Sequence, residues 1–265
     1  MKLNIVPARV GIQWAFCGVR TFFKQPLAFT GLFFMFMAGL SLLAQIPYAG
    51  DLLAMTLAPA AFVGLMNATN LVEQGRFPMP DTLLVALRQG PGRTRAILTL
   101  GVLLALGMAL ADGILMWIDG GYMAQLQAAI TAQGNIPSDA LKDPRLVRFL
   151  LAAILLHLPF SLLFWHAPAL VHWNAVAPVK SLFFSSLAVL KNARAFALYA
   201  LSWLLIYLVA NWALFALAML FGSADIAKFG LLPMLLLIWA MFCISAWFTY
   251  RDCFAQPAGN AEPPA

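Results

Sequence analysis

Apolar residues in this chain run in long stretches rather than in alternation. Six segments, Leu27–Ile46, Leu52–Leu71, Ala96–Ile118, Phe149–Trp173, Ala195–Phe221 and Phe229–Tyr250, are each long enough to cross a hydrocarbon core as helix, which takes about 20 residues. All are uncharged except the third, which contains Asp112. Without strand-like alternation a barrel is excluded, so helices must satisfy the backbone inside lipid. The expected fold class is therefore all-α: a polytopic membrane bundle of six transmembrane helices. It forms one integral membrane domain over residues 1–254. The Ala- and Pro-rich tail, 255–265, is expected to be disordered. Arg9 and Arg20 interrupt any apolar run before Leu27, so a cleaved signal peptide is not expected and the first span stays in the membrane.

Shorter amphipathic segments precede alternate spans. Between Pro7 and Lys24, Ile12, Phe16, Val19 and Phe23 recur at helical spacing, which suits a helix lying in the headgroup region. Thr82–Arg88 follows Pro80 and Asp81, and Val179–Asn192 follows Pro178, in the same manner. The chain thus reads as three units, each an interfacial helix followed by two spans. On the far side the turns at Pro47–Asp51 and Gly222–Lys228 are tight, whereas Asp119–Arg148 is long. In that connection Met123, Leu126 and Ile130 suggest an amphipathic stretch, Ser138 is a candidate cap, and Asp143-Pro144 supplies an N-cap and first-turn proline for the fourth span.

Composition strengthens this picture. Of the 265 residues, 63% are hydrophobic and 10% charged, against roughly 25% charged in soluble domains. The net charge of +6 is unevenly placed. Twelve of the sixteen Lys and Arg residues fall on the side that holds both chain ends; Lys142, Arg145, Arg148 and Lys228 fall on the other. Positive charge concentrates on the cytoplasmic side, so both termini and the interfacial helices are expected there. The basic excess then meets anionic lipid headgroups, and no nucleic-acid partner is needed to explain it. Cys17, Cys243 and Cys253 form no Cys-x-x-Cys pair and read as free thiols.

Close helix approach in lipid relies on small residues. Thr56, Ala60, Gly64 and Ala68 recur every four residues along the second span, and Gly101, Ala105, Ala109 and Gly113 along the third. These faces are expected to meet each other or another helix. Asn67, Asn70 and Asn211 are candidates for interhelical hydrogen bonds or for a substrate site. Asp112 is the one carboxylate within a span, and an intramembrane acid is a functional candidate by default. It also lies six residues before Ile118, roughly 9 Å of helix from the outer end, within reach of headgroups.

His157, His166 and His172 all fall in the fourth span, interspersed with Pro159 and Pro168, where kinking is expected. His157 and His166 are nine residues apart and point to opposite sides of an ideal helix. With no further histidine in the chain, neither a metal nor another histidine-bound cofactor is expected. His166 is expected to face the bundle and His172 to reach the inner interface.

The stretch Phe164-Trp165-His166-Ala167-Pro168-Ala169-Leu170-Val171-His172-Trp173 resembles a family of uncharacterised proteobacterial inner-membrane proteins. So do Lys180–Ser186, Lys191-Asn192, Ala195-Phe196, Val6–Arg9, Gly11, Trp14, Gln25–Ala28 and Phe248–Phe254. The resemblance spans nearly the whole chain and implies a six-helix inner-membrane protein, with no catalytic residue or substrate attached. More distantly, the rhythm of interfacial helix plus two spans is similar to the membrane domain of some glycerophosphodiester phosphodiesterases, whose catalytic domain has no counterpart here.

Catalytic signatures are missing. There is no Gly-x-Ser-x-Gly, His-Glu-x-x-His or Gly-x-x-x-x-Gly-Lys. Gly90-Pro91-Gly92-Arg93-Thr94-Arg95 reads as a tight turn before the third span. The sequence thus points to a non-enzymatic interaction, assembly or lipid-organising module, with a membrane-protein partner as a candidate. A small transporter with a polar mid-membrane site is the alternative, and convergence of the polar side chains on one cavity would favour it. A lipid enzyme using His166 or His172 as base would lack a nucleophile.

Overall fold

The computed structural model describes residues 2–133 and 140–255. Ser138 and the tail from residue 256 on lie outside the described residues. Helix α1 spans Val10–Lys24, α2 Pro26–Ala44, α3 Gly50–Glu73, α4 Pro91–Asp119 and α5 Tyr122–Gln133. They are followed by α6 over Pro144–Phe164, α7 over Ala167–Asn174, α8 over Pro178–Lys191, α9 over Ala193–Leu220 and α10 over Ala224–Cys253. A 3-10 segment, Pro80–Leu87, joins α3 to α4. Six helical stretches are long and apolar enough to cross a membrane: α2, α3, α4, the α6–α7 pair, α9 and α10. They overlie the six apolar segments, and the fold is an all-α polytopic bundle.

Several boundaries follow from local chemistry. Proline opens α2, α4, α6 and α8, where its missing N–H costs nothing and its fixed φ suits a first turn. Asp143 caps α6 by accepting from the Arg145 backbone N–H at 2.8 Å. The sequence Gly90–Arg95 departs from the expected tight turn. Gly90 alone makes the corner, at φ +91, and Pro91 already begins α4.

The fourth span is interrupted, though not at Pro159, through which α6 continues. The interruption falls at Trp165–His166, with Pro168 in the first turn of α7. There the ordinary helical bond from the His166 N–H to the Leu162 carbonyl is replaced by a side chain. Ser185 Oγ of α8 accepts from His166 N–H at 2.9 Å and donates to the Leu162 carbonyl at 2.9 Å. Insertion of a polar group into the hydrogen-bond ladder is an established cause of helix breaks.

The packing follows the three-unit rhythm. Each element on the face that bears the chain ends packs on the second span of the preceding unit. The 3-10 segment lies on α3, α8 on α6 and α7, and α1 closes the ring against α9 and α10. First spans pack on their own second spans, as α2 on α3, α4 on α6 and α9 on α10. Burial is concentrated near the terminal face. In α10 every buried residue lies from Ala240 onward, and in α9 the buried positions other than Ala218 are Ala195, Tyr199 and Trp203. Among the described residues α6 has no buried side chain at all. The bundle is packed solidly at one end and splayed toward the other.

One element is not foreshadowed by the apolar pattern. Strand β1, Lys2–Leu3, pairs antiparallel with β2, Phe254–Ala255. Two residues per strand are too few to leave an alternation in the sequence. The ribbon pairs Ala255, the first residue of the expected tail, with Lys2.

Candidate functional site

The α6–α7 break is the centre of a polar and aromatic cluster. Thr249 Oγ1 on α10 accepts from Trp165 Nε1 at 2.9 Å and lies 3.1 Å from His166 Nε2. Its own proton is given to the Ala246 carbonyl at 2.8 Å. The hydroxyl therefore has only a lone pair left for the histidine, which assigns the proton of His166 to Nε2. The imidazole is completely buried, enclosed by Phe196, Tyr250 and Phe254, and its Nδ1 has no hydrogen-bond partner among the described residues.

The surrounding contacts join segments far apart in sequence. Asn192 Oδ1 accepts from the Val6 backbone N–H at 2.8 Å, and its amide donates to the carbonyls of Asn4 and Ala188. Trp14 Nε1 donates to Asp252 Oδ2 at 2.9 Å, and Tyr250 OH donates to Asn174 Oδ1 at 2.6 Å. A Cβ at Gly11 would overlap the Ala195 carbonyl oxygen, so glycine is what lets α1 lie against α9. Most of the stretches that carry the family resemblance, scattered along the chain, thus meet in space, Gln25–Ala28 excepted.

His172 lies in a second, smaller cluster. Its ring is 4% exposed and does not open on the interface as its position suggested, because the corner between the 3-10 segment and α4 roofs it. Gln89 Nε2 donates to His172 Nε2 at 3.1 Å, while Arg93 donates to Gln89 Oε1 at 3.1 Å and to the His172 carbonyl at 2.8 Å. The amide orientation follows from Arg93, which is a donor alone and so fixes Oε1 toward itself.

The remaining polar candidates are elsewhere. His157 Nε2 meets Asp112 Oδ1 at 3.1 Å between α6 and α4, with His157 31% and Asp112 65% exposed at the side chain. Its Nδ1 donates to the Ala153 carbonyl at 2.9 Å, so a neutral ring would receive its partner through a protonated carboxyl, and a charged ring would donate at both nitrogens. Asn211 donates to Tyr207 OH one turn earlier on α9 at 3.2 Å, beside the exposed Trp212. Asn70 accepts from Gln74 at 3.1 Å, and Asn67 is half-buried on α3. These groups form separate local pairs rather than one cavity. Among the described residues no three of His, Cys, Asp or Glu gather as a metal-binding group.

The small-residue stripes divide. A Cβ at Gly101 would overlap the Thr56 carbonyl oxygen, so glycine lets α3 and α4 approach closely there. Ala60 and Ala105 are both buried. Gly64 instead receives the 3-10 segment at Thr82 and Leu83, and Ala68 packs with Phe22, Phe29 and Ile244. Ala109 and Gly113 are exposed, contrary to the expected common face. Strict four-residue spacing advances about 40° per step around an α-helix, so the stripe rotates out of the contact, and Ala111 and Leu115 take the buried positions.

Sequence reasoning did not single out Ser185, Thr249, Asn192 and Gln89. The first three lie in stretches that carry the resemblance, but their partners are set by helix packing, which no spacing announces. The α6–α7 break was signalled by Pro168, but the residue that bridges it was not.

Across its whole length the chain is similar to a probable inner membrane protein of Burkholderia thailandensis. The two are 35% identical over 266 residues, which covers 100% of this chain and 97% of the relative. No protein-family model matches the chain, and no solved structure matches it.

Proposed function

Because this chain belongs to the same family as the Burkholderia probable inner membrane protein, we propose that it is a non-enzymatic inner-membrane module that assembles with a membrane partner or organises lipid. One observation carries the reading. The polar side chains of the spans are spent in separate contacts, with His166 on Thr249, His172 on Gln89, Asn211 on Tyr207 and His157 on Asp112. A transporter would gather such groups around a shared path near mid-membrane. The distant likeness to the membrane domain of some glycerophosphodiester phosphodiesterases points the same way, toward a module that accompanies lipid chemistry without performing it. The face with twelve of the sixteen basic residues is the cytoplasmic one in this proposal, and it attracts anionic headgroups.

The test is extraction in native lipid with polymer discs, followed by identification of co-purifying proteins and lipids. A reproducible protein partner, or a lipid enriched above its bulk share, is the expected result. Recovery of neither overturns the proposal. The Asp112–His157 pair gives the transporter reading its one specific support, since ionisable residues inside membranes commonly serve ion pathways. That reading requires proton-dependent uptake in proteoliposomes, lost in Asp112→Asn.

A further inference from the structure

Three arginines surround the corner where the 3-10 segment meets α4, and they have different employments. Arg93 is committed by hydrogen bonds to the His172 carbonyl and Gln89. Arg88 is held by an exposed ion pair with Asp81 at 3.3 Å, a contact that exchanges readily with solvent. Arg95 has no side-chain partner among the described residues. Arg88 and Arg95 line one groove of about 790 Å³, which continues along α4 past Leu98 to Val102. The corner itself is fixed by Gly90, at φ +91, and by a 2.9 Å bond from Thr94 Oγ1 to the Leu87 carbonyl.

The groove has a polarity gradient. Arg95 lies four residues into α4 and Val102 eleven, so the lining passes from guanidinium to aliphatic over roughly 10 Å along the helix. A ligand that complements it carries negative charge at one end and hydrocarbon at the other. We propose that this groove binds one anionic phospholipid, with Arg88 and Arg95 on the headgroup phosphate and an acyl chain along Leu98 and Val102. Guanidinium groups match phosphate through paired N–H donors, and the positive end of the α4 dipole adds to the attraction. A zwitterionic lipid brings its own cation to the same place and gains less.

This inference rests on the lipid arm of the proposed function, and the experiment separates the two. The protein is reconstituted in nanodiscs of phosphatidylcholine with phosphatidylglycerol as the minor component. Retained lipid is then counted by native mass spectrometry. The wild type is expected to keep one phosphatidylglycerol in excess of its bulk share, undisplaced by inorganic phosphate. R88Q/R95Q is expected to lower that retention roughly tenfold, since each arginine near an anionic surface contributes several-fold to binding. Val102→Trp, which fills the groove and leaves both guanidiniums, is expected to lower it as well. Arg76→Gln, on the same connection and outside the groove, is expected to leave it unchanged. If the wild type shows no excess, the site and the lipid arm both fall. If the excess survives in R88Q/R95Q, or falls equally in Arg76→Gln, the site alone is overturned. Displacement by inorganic phosphate, or retention unchanged by Val102→Trp, would show that no acyl chain is seated there.

Discussion

Thr249 holds three hydrogen bonds on a single oxygen, two received and one given. Thr249→Val keeps the shape of the side chain, strands the completely buried His166 donor and removes the acceptor of half-buried Trp165. A stranded buried donor costs about 1–3 kcal/mol, so this variant is expected to lose at least that much stability, read as an unfolding midpoint in mixed micelles. Thr99→Val removes a hydroxyl that merely bonds back to Arg95 in its own helix and is expected to stay within about 0.5 kcal/mol of wild type. Acid acts at a different residue. Side-chain and backbone hydrogen bonds from Arg145 hold the Asp143 carboxyl below the usual range. A carboxyl depressed in the folded state stabilises above its unfolded pKa, and the contribution disappears as pH falls through the folded value. The start of α6 should therefore fray in acid, seen as lost amide protection at Leu146–Arg148 after correction for intrinsic exchange, and Asp143→Asn should remove that pH dependence. His166 was visible in the sequence as a candidate; the hydroxyls that hold it were not, because Ser185 and Thr249 lie in stretches that carry the resemblance yet nothing in their spacing says which helix they face.

Helix contacts give the sharpest contrast between two glycines of one stripe. Gly101→Leu drives a side chain into the backbone of α3 at Thr56 and is expected to cost more than about 2 kcal/mol or to prevent folding. Gly113→Leu meets open space and is expected to be nearly neutral, with both followed by the same unfolding measurement. The stripe was legible where a four-residue repeat approximates the helical one, over its first two members. Beyond that the 40° drift decides which residues are inside. The six long helices overlie the apolar segments and run up to five residues beyond them, because apolar length fixes the middle of each helix and local capping its ends. The fate of Gly90–Arg95 was not legible, because a glycine–proline pair is equally good punctuation for a turn and for a helix start.

At the scale of the molecule, the positions of charged residues predict that both chain ends share one face, and the connectivity agrees. Which side of the membrane that face occupies can be read through Cys17, which is half-buried while Cys243 and Cys253 are buried. Burial holds the Cys17 thiol above its usual pKa, so alkylation should be slow at neutral pH and quicken as pH rises. A membrane-impermeant maleimide is expected to label it in inverted vesicles and not in intact spheroplasts; the reverse would turn the protein over. The order of packing around the ring was not legible, because apolar faces in lipid carry no address for their partners. That order has a consequence for biosynthesis. Helix α1 is synthesised before the six spans, yet most of the surface it docks on belongs to α9 and α10, which follow all the other spans, and β1 must wait for β2. Until then α1 is held only at its C-terminal end, where Thr21 and Lys24 donate to Glu73 of α3 and Phe22 packs with Phe29 and Ala68, and the rest of it rests on the membrane surface as an amphipathic helix. A chain cut short before α10 leaves β1 without β2 and Trp14 without Asp252, so full docking of α1 reports that α10 has arrived.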